Sequence, residues 1–113
     1  MKYFDAHSHY LAKRFNKDRH KLLSDIHKKG VEYIVNSTFG KELEQGLQLA
    51  KTYDFVYLSY VDEGGEEAET DEHLKNKLLI KITELCKKNK KIVAWGEFGI
   101  DFRKKRTLQR KGN

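Results

Sequence analysis

Proline is absent from this sequence, cysteine occurs once, and no apolar run is long. Average usage of about 5% would place several prolines in a chain of this size. We read their absence as a bias of composition without functional content. The lone cysteine, Cys86, excludes an intrachain disulfide and fits a reducing compartment. No apolar stretch approaches the roughly 20 residues needed to span a bilayer. The N-terminus runs straight into a strand pattern without the apolar core of a signal peptide. A soluble, cytoplasmic protein with no membrane association is the expectation.

Acidic residues are the minority charge, 17 against 23 lysines and arginines, giving a formal net charge of +6. A basic excess favours phosphate-bearing partners. Apolar residues make up 38% and aromatics 12% of the 113 residues. That content, placed periodically, argues for one small folded domain rather than a disordered chain.

Strand-like and helix-like segments alternate. Tyr3 to Ala6 reads as a first strand, followed by a helix capped by Asn16 that turns Leu22, Leu23 and Ile26 inward and ends at Gly30. Val31 to Val35 is the second strand, and Lys41 to about Tyr53 the second helix. Phe55 to Ser59 is the third strand. Thr70 is positioned to cap a third helix that carries Leu74, Leu78, Ile82 and Leu85 on one face. Ile92 to Trp95 is the fourth strand. Short apolar strands alternating with helices predict an α/β fold with a parallel sheet of about four βα units. That is either a small open sheet or part of a (β/α)₈ TIM barrel, which needs about 250 residues in full.

The chemistry concentrates at strand ends. His7-Ser8-His9 follows the first strand directly. In extended backbone, residues i and i+2 point the same way, so two imidazoles at this spacing can hold one divalent ion. The competing reading is a surface histidine pair that binds nothing. Gly96-Glu97-Phe98-Gly99-Ile100-Asp101 follows the fourth strand. In parallel sheets, ligands gather outside the carboxyl ends of the strands. Glu97 is therefore expected at the same end as His7 and His9. Asp5, two residues before His7, is expected either to orient an imidazole from behind or to be a buried acid hydrogen-bonded to backbone.

The segment Phe4-Asp5-Ala6-His7-Ser8-His9, together with Gly96-Glu97-Phe98-Gly99-Ile100-Asp101-Phe102, resembles the TatD family of metal-dependent hydrolases. Gly30 to Val35 also resembles that family's second strand. The resemblance covers residues 1–102, as the N-terminal half of a family barrel, with 103–113 left as a basic tail. It implies a (β/α)₈ barrel that hydrolyses phosphodiester bonds, typically of DNA, with one or two divalent ions such as zinc, magnesium or manganese. On that pattern His7, His9 and Glu97 would ligate metal, Glu97 would serve catalysis, and Asp101 would support. Where the family often carries Gly-x-His-Pro-His, this chain reads Ser59-Tyr60-Val61-Asp62-Glu63-Gly64-Gly65. The C-terminal ligands of the family have no counterpart here. Weak or no hydrolase activity is therefore expected of the chain alone. Half a barrel leaves two open sheet edges, which invites self-association. Two alternatives stay open: another HxH metallohydrolase, amidohydrolase-like or PHP-type, and a non-catalytic basic module that binds nucleic acid.

The remaining candidates read as structural. His20, His27 and His73 lie on helices, Cys86 packs beside Leu85, and Trp95 belongs to the core. Tyr57 and Tyr60 are placed either at the ligand rim or in the core.

Overall fold

The computed structural model describes residues 1–61 and 71–96. Glu97, Asp101, the acidic stretch 62–70 and the basic tail lie outside the described residues. Among the described residues four strands, β1 (Tyr3–Ser8), β2 (Val31–Phe39), β3 (Val56–Val61) and β4 (Ile92–Trp95), alternate with three helices. The helices are α1 (Arg19–Lys28), α2 (Leu43–Thr52) and α3 (Glu72–Lys88). Short 3₁₀ turns at Lys13–Phe15 and Gly40–Glu42 precede α1 and α2.

All strand pairs are parallel, and the spatial order is β1-β2-β3-β4. That order distinguishes between the two architectures left open by the sequence. A doubly wound sheet reverses direction at a switch point, which puts helices on both faces. Here the order never reverses. Right-handed crossovers then place every helix on the same face, as in a (β/α)₈ barrel. The chain is an α/β fold of this kind, a partial TIM barrel.

The helix-covered face is the core. Leu23 of α1, Leu49 of α2, and Leu78 and Ile82 of α3 pack on Ile34, Val56, Leu58 and Ile92 of the sheet. Each such side chain contributes about 1.5–3 kcal/mol on burial. Cys86 and Trp95 pack against this cluster, half-buried, as expected. Tyr60 is also a core residue, 2% exposed. Tyr57 lies near the start of β3 and meets Tyr33, at the end of the sheet away from the HxH segment. Tyr57 thus stands away from the HxH segment, and Tyr60 is a core residue toward the carboxyl end of β3.

Two glycines set backbone positions. Gly30 adopts φ +115° between α1 and β2, and a Cβ there would lie 2.6 Å from the Met1 carbonyl oxygen. Gly46 lets α2 approach β2, because a Cβ would meet Thr38 Cγ2 at 2.8 Å.

Several boundaries differ from the sequence reading. The α1 helix starts at Arg19, not after Asn16, and Asn16 Oδ1 instead accepts a hydrogen bond from the Arg19 guanidinium at 2.7 Å. The cap of α3 is Asp71 rather than Thr70: its carboxylate accepts from the His73 and Leu74 backbone N–H groups at 2.9 and 3.3 Å. Leu74, expected inward, is 37% exposed. It sits in the first turn, where the helix has only begun to contact the sheet. The β1 strand extends through Ser8, and β2 extends through Phe39.

Candidate metal centre at the carboxyl end of the sheet

His7 and Ser8 close β1, and His9 is the first residue past it. Ser8 is buried and shares the register of Asn36 on β2. Its neighbours on both sides turn the other way, toward the face the helices do not cover. The two imidazoles meet there. Nε2 of His7 and Nε2 of His9 stand 3.0 Å apart, with ring planes at 82°. As a hydrogen bond, this contact needs one ring to donate and the other to accept, so at least one is neutral.

The same spacing fits an ion. Two imidazole nitrogens bound at about 2.0–2.1 Å, between right-angled and tetrahedral geometry, lie about 2.9–3.4 Å apart. The observed 3.0 Å falls within that range. Among the described residues no further His, Cys, Asp or Glu joins them into a group of three.

Neighbouring groups pin this segment. The Ser8 hydroxyl donates to the Val35 carbonyl at 3.2 Å. The Tyr10 N–H donates to Asn36 Oδ1 at 2.7 Å, and the Asn36 amide donates in turn to the Ser37 carbonyl and Thr38 Oγ1. Asn36 is fully buried. Arg19 reaches back from α1 to donate to the carbonyls of Tyr10 and Ala12. Leu11, 8% exposed, anchors the segment in the core. Asn36 and Arg19 were not identified from sequence. No local motif marks them, because their partners lie far along the chain or in an irregular loop.

Asp5 makes a bond to backbone, one of the two roles expected of it. Its Oδ1 accepts from the His7 backbone N–H at 3.2 Å. Strand alternation does not carry its direction to His7, because β1 spends three residues from Asp5 to Ser8 where β2 spends two, from Ile34 to Asn36. Asp5 also acts on Tyr10. Burial pushes the Tyr10 phenol above its ordinary pKa, and the Asp5 charge pushes it further the same way.

Glu97 lies outside the described residues, but Gly96 does not. The Gly96 N–H donates to the Tyr60 carbonyl at 3.0 Å. Tyr60 is next to the last residue of β3, so Gly96 lies at the carboxyl end of the sheet, the end that carries His7 and His9.

His20 and His27 stand apart from this site. His20 Nδ1 contacts the Tyr53 hydroxyl at 2.7 Å. The His27 ring stacks on Phe55 with centroids 3.9 Å apart and Nδ1 at 2.8 Å from the Val31 carbonyl.

The family model for TatD related DNase matches residues 4–112. The chain belongs to this family. Its members are metal-dependent hydrolases of TIM-barrel fold that act on DNA. No curated protein matches the chain. Among the described residues no helix is long and apolar enough to cross a membrane.

Proposed function

We propose that this chain is a metal-dependent phosphodiesterase component acting on DNA, with its ion held by His7 and His9 and by Glu97. The observation that carries the reading is the 3.0 Å approach of the two Nε2 atoms at the carboxyl end of a parallel sheet. A divalent ion such as zinc, magnesium or manganese would acidify water to a nucleophile near neutral pH and offset phosphoryl charge. The chain's own residues do the positioning. His7 and His9 present neutral nitrogens on one side, and Asp5 and Asn36 fix the backbone that carries them. Glu97 would add a carboxylate, with Asp101 in support. The net charge of +6 draws the polyanion. We place the protein in the cytoplasm.

The test is oligonucleotide binding with and without divalent metal. Binding that requires metal, is reversed by chelator and is lost in His7→Ala supports the reading. Binding indifferent to chelator and unchanged in His7→Ala would make the chain a basic nucleic-acid-binding module instead.

A further inference from the structure

The loop beyond His9 carries charge that the fold does not use. From Tyr10 to Arg19 it holds Lys13, Arg14, Lys17 and Arg19 against a single acid, Asp18. Arg19 turns inward and donates to the Tyr10 and Ala12 carbonyls and to Asn16 Oδ1. The other three cations are exposed. Among the described residues no ion pair engages Lys13, Arg14 or Lys17.

Two aromatic rings interleave with these cations. Tyr10 directly follows His9, and the Phe15 ring lies 5.7 Å from it, centroid to centroid. Tyr10 packs against the core. Phe15 is half-buried and, among the described residues, is not one of the hydrophobics packed on that core. Its ring instead carries the Arg14 guanidinium, 4.8 Å from the centroid. Arg14 is itself exposed, so the stack ends in a planar charged group open to solvent.

The loop is also built in advance. The N–H groups of Ala12, Phe15, Asn16 and Asp18 donate to the carbonyls of His9, Ala12, Lys13 and Phe15 at 2.9–3.2 Å. Leu11 is buried beneath it. A surface already ordered avoids the entropy that a loose loop would lose on binding. Exposed cations attract phosphates, and a guanidinium stacked on a ring takes the face of a base. That face is free in a single strand and covered in a duplex.

We propose that Lys13, Arg14, Phe15 and Lys17 form a subsite for single-stranded DNA, with Arg14 on Phe15 stacking against a base and the two lysines meeting the neighbouring phosphates. The inference rests on the metal-centre reading and adds to it the form of DNA that the centre receives.

The experiment measures affinity, at saturating zinc, for a short thymidine oligonucleotide, an abasic oligomer of equal length and a duplex of equal length. Wild type should bind the thymidine strand best. Arg14→Ala should lower that affinity by about five- to thirtyfold and abolish the preference over the abasic oligomer. Arg14→Lys keeps the charge but should lose the same preference. Lys13→Ala with Lys17→Ala should keep the preference and flatten the salt slope by about 0.7 per lysine. All variants should share the wild-type thermal midpoint, since the altered side chains are exposed. Equal affinity of wild type and Arg14→Ala for the thymidine strand would overturn the proposal, as would a wild type that does not distinguish it from the abasic oligomer. A midpoint lowered by several degrees in Arg14→Ala would assign the stack to the fold and overturn it too. If wild type takes up zinc but no oligonucleotide, the subsite falls and the metal centre stands. If the thymidine preference persists without zinc uptake, the metal centre falls and the loop stands as a strand-binding surface.

Discussion

The buried amide of Asn36 accepts the Tyr10 N–H at 2.7 Å and so ties the middle of β2 to the segment just beyond His9. Replacing Asn36 by Ala leaves that N–H without its acceptor in a site closed to water. The expected cost is about 1–3 kcal/mol in urea denaturation. Zinc affinity should fall with it, because His9 loses its fixed backbone. Equal stability in the variant would remove Asn36 from the account.

Gly46 offers a second test. Alanine is the better helix former by about 0.5–1 kcal/mol, so propensity alone predicts stabilisation. The close approach of α2 to Thr38 predicts the opposite. Thr38 cannot swing away freely, since its hydroxyl donates to the Asn36 carbonyl at 3.0 Å. Gly46→Ala should therefore destabilise the fold by about 1–3 kcal/mol, as measured by denaturant midpoint.

Lys91 predicts a pH effect. Its ammonium donates to the Tyr53 and Asp54 carbonyls at 3.3 and 2.9 Å and lies 4.3 Å from the Tyr57 ring centroid. Burial lowers its pKa below 10.5, and Asp54 partly opposes the shift. Between the lowered folded value and 10.5, the unfolded chain binds more protons at this position. Stability of wild type relative to Lys91→Met should thus rise with pH across that window. Asp54→Asn should lower the Lys91 pKa further, measurable by NMR titration of its side chain.

The open edges predict association. Among the described residues β1 and β4 each pair with one neighbour, and Tyr3, Phe4 and Val93 on these strands are 54%, 62% and 53% exposed. Sedimentation should show concentration-dependent self-association, weakened by Phe4→Lys. A monomer at all concentrations would count against it.

The order of strands and helices was legible because each strand is a short apolar run and each helix carries a 3.6-residue stripe. The polar stretch Asn36-Ser37-Thr38 misled, since amide and hydroxyl residues ordinarily mark strand ends. Here they extend β2, because Asn36 and Thr38 bond to each other and Asn36 also accepts from Tyr10 beyond His9. Caps were placed one to two residues off, as Thr70 and Asp71 are both competent and only the hydrogen bonds select between them. At the site, the histidine pair was legible from its spacing. The groups that hold it were not, since Arg19 and Asn36 acquire their roles only when β2 and α1 come beside β1.

Zinc titration of wild type, His7→Ala and His9→Ala, followed by calorimetry and thermal unfolding, tests the central claim most directly. The account predicts one ion per imidazole pair in wild type, a thermal midpoint that climbs with zinc concentration, and loss of both effects in either variant. Equal zinc uptake by wild type and His7→Ala would contradict it.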